Sequence, residues 1–222
     1  TRYPFPYNPP YVPYDNPCGA YVTHFESDND YRKYLNFEGV DSCFYVWVNG
    51  EFVGYSQVSH STSEFDITDK VKNGDNILCV LVFKWCDGSY LEDQDKFRMS
   101  GIFRGVYILN RPQNHIRDYK IETDIQGKIN IEIDSDTDVS FVLENEKGEI
   151  YSGDSKTITV EKPILWNAEY PYLYTLYIVT EDEVIREKIG FREIKIDDGI
   201  VFLNNKPIKM KGVNRHDSDP VT

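Results

Sequence analysis

Along most of this chain hydrophobic and polar side chains either alternate or fall into short apolar runs, the pattern of half-buried and buried strands. In the first half such runs cover Tyr21–Phe25, Tyr34–Phe37, Phe44–Val48, Glu51–Ser56 and Ile77–Trp85. Asn49-Gly50 stands between two of them. That pair predicts a tight hairpin, because a type I′ turn needs positive φ at both central residues. Ser63-Glu-Phe-Asp-Ile-Thr leads into a short turn over Asp69–Gly74. The first 17 residues are dense in proline and tyrosine. Proline lacks a ladder donor, so this stretch reads as an extended arm, not a central strand. Evenly spaced strands without long helices predict a β-sandwich or jelly roll.

Past a linker at Asn110–Asn114 the pattern becomes more regular. Strands are expected at Ile116–Thr123, Lys128–Asp134, Ser140–Glu144, Thr157–Val160, Tyr172–Thr180 and Val184–Ile189. That number of short strands in so few residues predicts an immunoglobulin-like sandwich. The aromatic cluster from Trp166 to Tyr174 is expected to plug one end of it. From Gly199 the pattern shifts again. Ile200–Leu203 and Pro207–Lys211 predict a hairpin across Asn204-Asn205, followed by a polar segment bearing His216.

Composition narrows the function classes. The 17 Tyr, 12 Phe and 3 Trp among 222 residues favour β-structure, where such side chains pack well. A net charge of −13 argues against a nucleic-acid partner, whose phosphates demand a basic surface, and against an anionic membrane surface. No apolar run approaches the roughly 20 residues of a membrane-spanning helix. Cys18, Cys43, Cys79 and Cys86 follow no CxxC spacing. They read as reduced thiols of a cytoplasmic protein, not as a disulfide frame or a zinc site.

Residues 85–104 carry the densest chemistry. Four carboxylates (Asp87, Glu92, Asp93, Asp95) and two arginines (Arg98, Arg104) follow a buried strand. Charged groups are seldom buried unless paired or bound to a cation, and long polar loops in compact domains are more often functional than filler.

Several motifs in fixed order resemble the β-galactosidases of glycoside hydrolase family 2. They are Phe37-Glu-Gly-Val-Asp-Ser-Cys-Phe-Tyr-Val-Trp-Val-Asn-Gly, Val53-Gly-Tyr-Ser-Gln, Ser63-Glu-Phe-Asp-Ile, Asp87-Gly-Ser-Tyr-Leu-Glu-Asp-Gln-Asp, Arg98-Met-Ser-Gly-Ile-Phe-Arg and Lys211-Gly-Val-Asn-Arg-His. The resemblance covers essentially the whole chain. It implies an all-β chain in three parts. A jelly-roll sugar-binding domain is expected over 1–112 and an immunoglobulin-like β-sandwich over 113–197. Residues 198–222 are expected to hold the truncated first strand of a (β/α)8 catalytic barrel. A retaining β-galactosidase uses two carboxyl groups roughly 5 Å apart. In the family both are glutamates at later barrel strands, so no catalytic residue is expected within this chain, and the fragment is expected to be inactive alone.

The resemblance also assigns binding residues. Asp95 is expected to contact the galactose 6-hydroxyl region and to ligate a monovalent cation, Na+ or K+; without the resemblance it would pair with Arg98 or Arg104. Asp41 takes the position of a sugar-contacting asparagine in some relatives; its alternative is a turn residue. Gln57 and Asp87 match weak ligand positions of a divalent Mg2+ site, against ordinary loop hydrogen bonding. His216 is expected near the sugar, or, with Arg215, bracing the barrel mouth. Ser218 stands where relatives often carry a second histidine. The implied partners are a β-galactoside substrate such as lactose, the remainder of the enzyme, and further copies in a homo-oligomer. The alternative from another class is a freestanding carbohydrate-binding module without catalysis, which would display aromatic side chains on one open sheet face.

Overall fold

Residue 8 and residues 10–28, 30–92, 98–151 and 157–214 are described by the computed structural model of the chain. Their backbone is extended almost throughout, with short 3-10 turns at Thr68–Lys70 and Asp87–Tyr90. The chain divides into two units, Thr1–Gln113 and Asn114–Thr222.

The first unit holds β1 (Cys18–Ser27), β2 (Arg32–Phe37), β3 (Val40–Asp41), β4 (Cys43–Val48), β5 (Glu51–Gln57), β6 (Ser63–Asp66), β7 (Gly74–Phe83), β8 (Gly101–Ile102) and β9 (Val106–Arg111). One sheet has the order β1-β7-β4-β5, a second β6-β2-β9, and β3 pairs with β8. Apart from β4 and β5, neighbours in these sheets are distant in sequence, which is the crossing-over of a jelly roll. Asn49 and Gly50 both have positive φ (52° and 82°), and Val48 pairs with Glu51, so β4 and β5 form the two-residue hairpin their sequence predicts.

Alternation sets what each sheet buries. From the first sheet Phe44, Val46, Val48, Leu78, Val80 and Val82 point inward, and from the second Leu35 and Phe37; all are buried. Phe37, Phe44 and Phe65 meet at ring separations of 4.8 to 6.1 Å across the gap. The alternate positions of β4, β5 and β7 carry Tyr45, Trp47, Phe52, Tyr55 and Phe83 in mutual ring contact on the outer face. Phe52 and Tyr55 are exposed.

A buried cation belongs to this unit. Lys33 is 2% exposed, and its ammonium donates to Asp28 at 2.6 Å while lying over the Tyr31 ring. A buried ammonium must be paired or neutralised.

The second unit holds β10 (Ile116–Thr123), β11 (Lys128–Ser135), β12 (Ser140–Glu144), β13 (Ile150–Tyr151), β14 (Thr157–Thr159), β15 (Tyr174–Val179) and β16 (Val184–Ile189). The sheets β10-β11-β14 and β13-β12-β15-β16 enclose a core that includes Ile129, Ile131, Leu143, Ile158, Leu176 and Phe191. Tyr172 and Tyr174 are buried there. Tyr172 stacks with Tyr170, and Tyr174 meets Phe191 edge-on at 5.0 Å.

A three-stranded meander follows, β17 (Ile194–Asp197), β18 (Ile200–Leu203) and β19 (Lys206–Pro207). Its second turn lies at Asn204-Asn205, as predicted, both at positive φ. Its last strand is shorter than the expected Pro207–Lys211, although the Ile208 N–H still donates to the Val201 carbonyl beyond Pro207. Asn204 holds the meander to the sandwich: its amide oxygen accepts the Glu193 N–H, and its nitrogen donates to the Trp166 carbonyl, both at 3.0 Å.

Two tests follow from the first unit. A Cβ at Gly54 would stand 2.6 Å from Cε1 of Phe65, whose ring is fixed by Phe37 and Phe44. Gly54→Ala is therefore expected to destabilise the protein by about 1–3 kcal/mol, read as a lower denaturant midpoint. The hydrogen bond from Lys33 holds the Asp28 carboxyl below its ordinary range. The folded state thus binds that proton less readily than the unfolded chain. The pair's stabilisation is present above about pH 4 and lost as pH falls through the lower folded value. The stability gap between wild type and Asp28→Asn should narrow on acidification; a gap constant with pH would show that the pair does not stabilise the fold.

Candidate functional site

Sheet register gathers residues far apart in sequence at one end of the first unit. Cys43, the first residue of β4, pairs with both Phe83 of β7 and Gln57 of β5, and Asp41 pairs with Gly101 of β8. The chain leaving β7 therefore starts the acidic loop beside the residues that open β4. A second tie comes from the arm. The Asn16 side chain donates to the Trp85 carbonyl and accepts the Trp85 N–H, both at 2.9 Å, and the Lys84 N–H donates to the Pro17 carbonyl.

These elements enclose a cavity of about 460 Å³ lined by Pro17, Cys18, Tyr21, Asp41, Lys84, Trp85, Ser100 and Gly101, among others. That volume lies within the range of small-molecule sites. Gly101 is at φ +74°, and a Cβ there would collide with the Tyr21 hydroxyl, so glycine keeps this wall open. Asp41 is 4% exposed overall and lines the cavity, and among the described residues its carboxylate oxygens are not buried without a partner, so they open into that space. A hydroxyl-bearing ligand in the cavity would supply donors to them.

A second cluster adjoins it. The Ser42 hydroxyl lies 2.7 Å from that of Ser89 and 3.5 Å from Cys86 Sγ; Ser89 also donates to the sulfur at 3.8 Å and accepts the Cys86 N–H. Cys43, with Ser42 and Ser89, lowers the Cys86 thiol below its ordinary value against the effect of burial. Cys86, with burial, raises the Cys43 thiol. Burial and the neighbouring Cys43 raise the Tyr55 phenol.

Gln57 and Asp87 come close together on this side. The Gln57 carboxamide packs against Gly88, and Asp87 caps the Gly88 N–H at 2.9 Å. Gln57 Oε1 already accepts the Tyr55 hydroxyl at 3.0 Å. Among the described residues no three His, Cys, Asp or Glu side chains converge. The Asp87 carboxylate and the Gln57 carboxamide offer up to three side-chain oxygens, so a divalent cation there would need further ligands or waters to fill its shell.

The described charged residues around the acidic loop bond to neighbouring polar groups. Glu92 accepts from the Ser59 N–H and hydroxyl, at 3.1 and 2.5 Å. Arg98 donates to the Ser89 carbonyl and lies over the Trp85 ring, and Arg104 donates to the Glu38 and His60 carbonyls. Asp95 and His216 lie outside the described residues, as do Asp93, Arg215 and Ser218. Asn16, Tyr21, Ser42 and Ser89 were not singled out from the sequence. Only Asn16, preceding a proline in a turn-prone stretch, carries a local signal there.

Comparison with known proteins places the chain. The family profile described as "Glycosyl hydrolases family 2, sugar binding domain" matches residues 1–112, and that of "Glycosyl hydrolases family 2" matches residues 106–192. The chain is 52% identical to a beta-galactosidase of Actinobacillus pleuropneumoniae and 51% identical to one of Staphylococcus xylosus. Each alignment covers 100% of this chain, and 23% and 24% of the respective relative. The chain thus spans about a quarter of the length of these curated relatives. Among solved structures, the beta-glucuronidase of Ruminococcus gnavus superposes with a TM-score of 0.76 at 22% identity, over 87% of this chain and 38% of that one. That of Lactobacillus rhamnosus gives 0.76 at 24% identity, over 90% and 40%. At these identities the likeness is one of fold, the two successive sandwiches. Among the described residues no helix is long and apolar enough to cross a membrane. On the match of its family profiles to residues 1–112 and 106–192, the chain belongs to the family 2 glycosyl hydrolases.

Proposed function

We propose that this chain is the N-terminal portion of a retaining β-galactosidase that hydrolyses terminal β-D-galactosides such as lactose. The observation that carries the reading is the agreement of curated β-galactosidases with the whole of this chain. Residues 1–112 act as the sugar-binding jelly roll, 113–197 as the immunoglobulin-like spacer, and 198–222 as the start of the catalytic barrel. The two catalytic glutamates belong to the barrel. A retaining mechanism sets them roughly 5 Å apart, one as nucleophile and one as acid/base.

The part assigned to this chain is binding. Asp41 accepts hydroxyl hydrogen bonds from the sugar, which its buried position in the cavity supports. Asp95 contacts the 6-hydroxyl region and supplies a hard oxygen ligand to Na+ or K+, and His216 reaches the same pocket. Gln57 and Asp87 are weak candidate ligands for the Mg2+ of the full-length enzyme, which needs further ligands besides them. The full-length enzyme is a cytoplasmic homo-oligomer. The free thiols of Cys18, Cys43, Cys79 and Cys86 support a reducing compartment.

A second reading, the freestanding carbohydrate-binding module, is favoured by one observation: the aromatic outer face of β4, β5 and β7, which offers stacking surfaces for sugar rings. Activity separates the two. The full-length enzyme is expected to hydrolyse a chromogenic β-galactoside, and purified 1–222 is expected to show no turnover and only weak galactose binding by calorimetry. Turnover by 1–222, or none by the full-length protein, overturns the proposal, and tight galactose binding by 1–222 favours the module.

Within the full-length enzyme, Asp41→Ala should raise KM about ten- to a hundredfold, the loss expected for hydrogen bonds to a charged acceptor. Asp95→Asn should raise the sodium concentration needed for half-maximal activity. Kinetics unchanged across a sodium titration would reject the ligand role of Asp95.

A further inference from the structure

The ladder between β1 and β7 continues past the last residues of the two strands, and its final rung is made by a side chain. Cys18 pairs with Phe83, and one step on the Lys84 N–H donates to the Pro17 carbonyl at 2.9 Å. Proline has no N–H to return that bond. At the next step Asn16 meets Trp85. Its carboxamide nitrogen donates to the Trp85 carbonyl and its carboxamide oxygen accepts the Trp85 N–H, both at 2.9 Å. A carboxamide holds the donor and the acceptor of a peptide group, so Asn16 exchanges two bonds with Trp85 as a facing strand residue would.

This clasp falls on residues that wall the cavity. Lys84 and Trp85 line it together with Asp41, and Asn16 is not among the described residues of the lining. Trp85 is 8% exposed, with the Lys84 ammonium 5.3 Å and the Arg98 guanidinium 5.9 Å from its ring centroid. The position of the Trp85 backbone therefore sets where the indole and the Lys84 stem stand. A second tie between arm and loop lies further along, where the Tyr90 hydroxyl donates to the Tyr11 carbonyl at 2.8 Å.

We propose that Asn16 is a positioning residue of the sugar-binding cavity. Its clasp on Trp85 sets the distance between the Lys84–Trp85 wall and the Asp41 carboxylate, and so the fit of a galactoside between them. The identity of the ligand rests on the β-galactosidase reading; the clasp rests on the hydrogen bonds alone. Asn16 acts through Trp85 and touches no reacting atom, so its loss weakens binding of ground state and transition state alike. Such a loss raises KM and leaves kcat in place. A neutral hydrogen bond contributes modestly after desolvation, so the two together account for about a tenfold change in affinity.

The test compares the full-length wild type with Asn16→Ala and Asn16→Asp. It reads steady-state kinetics on a chromogenic β-galactoside, the thermal midpoint, and backbone hydrogen exchange over residues 84–90. Asn16→Ala is expected to raise KM about tenfold with kcat held, and to speed exchange over 84–90. Asn16→Asp has nearly the same shape but lacks the donor, and its carboxylate would face the Trp85 carbonyl. It should be impaired at least as much as Asn16→Ala. Should Asn16→Ala fail to fold, Asn16→Ser, which keeps one hydrogen-bonding group, is read in its place, with a smaller rise in KM expected. Wild-type KM in Asn16→Asp would mean that the side chain only fills space, and overturns the proposal. So do a KM unchanged in every variant, exchange over 84–90 unchanged, or a kcat that falls with the thermal midpoint while KM stays. Wild type that is protected over 84–90 yet shows no turnover defeats the β-galactosidase reading, and that protection tells it apart from a failed clasp.

Discussion

The antiparallel register of β4 against β7 is the constraint from which the first unit's chemistry follows. With Cys43 opposite Phe83, every inward residue of the two strands meets the core, and the loop leaving β7 is delivered beside Asp41 and Ser42. A slip of one residue would turn Phe44, Val46, Val48 and their partners in β7 to the outer face. Buried apolar side chains of this size contribute about 1.5–3 kcal/mol each, so the core enforces the register, and the register places the loop. The cavity, the cluster of Ser42, Cys86 and Ser89, and the Gln57–Asp87 corner are three consequences of that single alignment.

The arm adds a constraint of a different kind. Asn16 uses both ends of its carboxamide on the backbone of Trp85, so a segment without regular structure reads the position of the loop's first residue. The cavity wall then has one side from the arm and β1, one from β3 and β8, and one from the residues just after β7. A carboxylate such as Asp41 is affordable in that place because its oxygens open into the cavity, which leaves room for donors.

The strands were legible in the sequence because alternation reports burial directly; the Asn49-Gly50 turn was legible because only positive φ closes so short a hairpin. The meander was readable as far as Asn204-Asn205, and its final strand was overestimated past Pro207. The site was less legible. Asp41 was found through its motif, but its burial follows from pairing with β8, sixty residues further on. The cluster of Ser42, Cys86 and Ser89 was invisible, since it depends on register and not on spacing. The long acidic run suggested a cluster of buried charges. Its described arginines bond to backbone carbonyls, a role that composition does not reveal.

The meander at the end of the second unit bears on where this chain can be divided. β17 and β18 pair over Ile194–Leu203, and the turn between them is Asp198-Gly199, both at positive φ. A cut at residue 197 would separate two strands of one sheet and leave Ile194 and Ile196 on a bare edge, the kind of surface through which chains aggregate. It would also remove Asn204 from the carbonyl of Trp166. Expression boundaries for the second sandwich are therefore better drawn after β19 than between the two sequence patterns, and a functional border need not coincide with a place where the backbone can be severed.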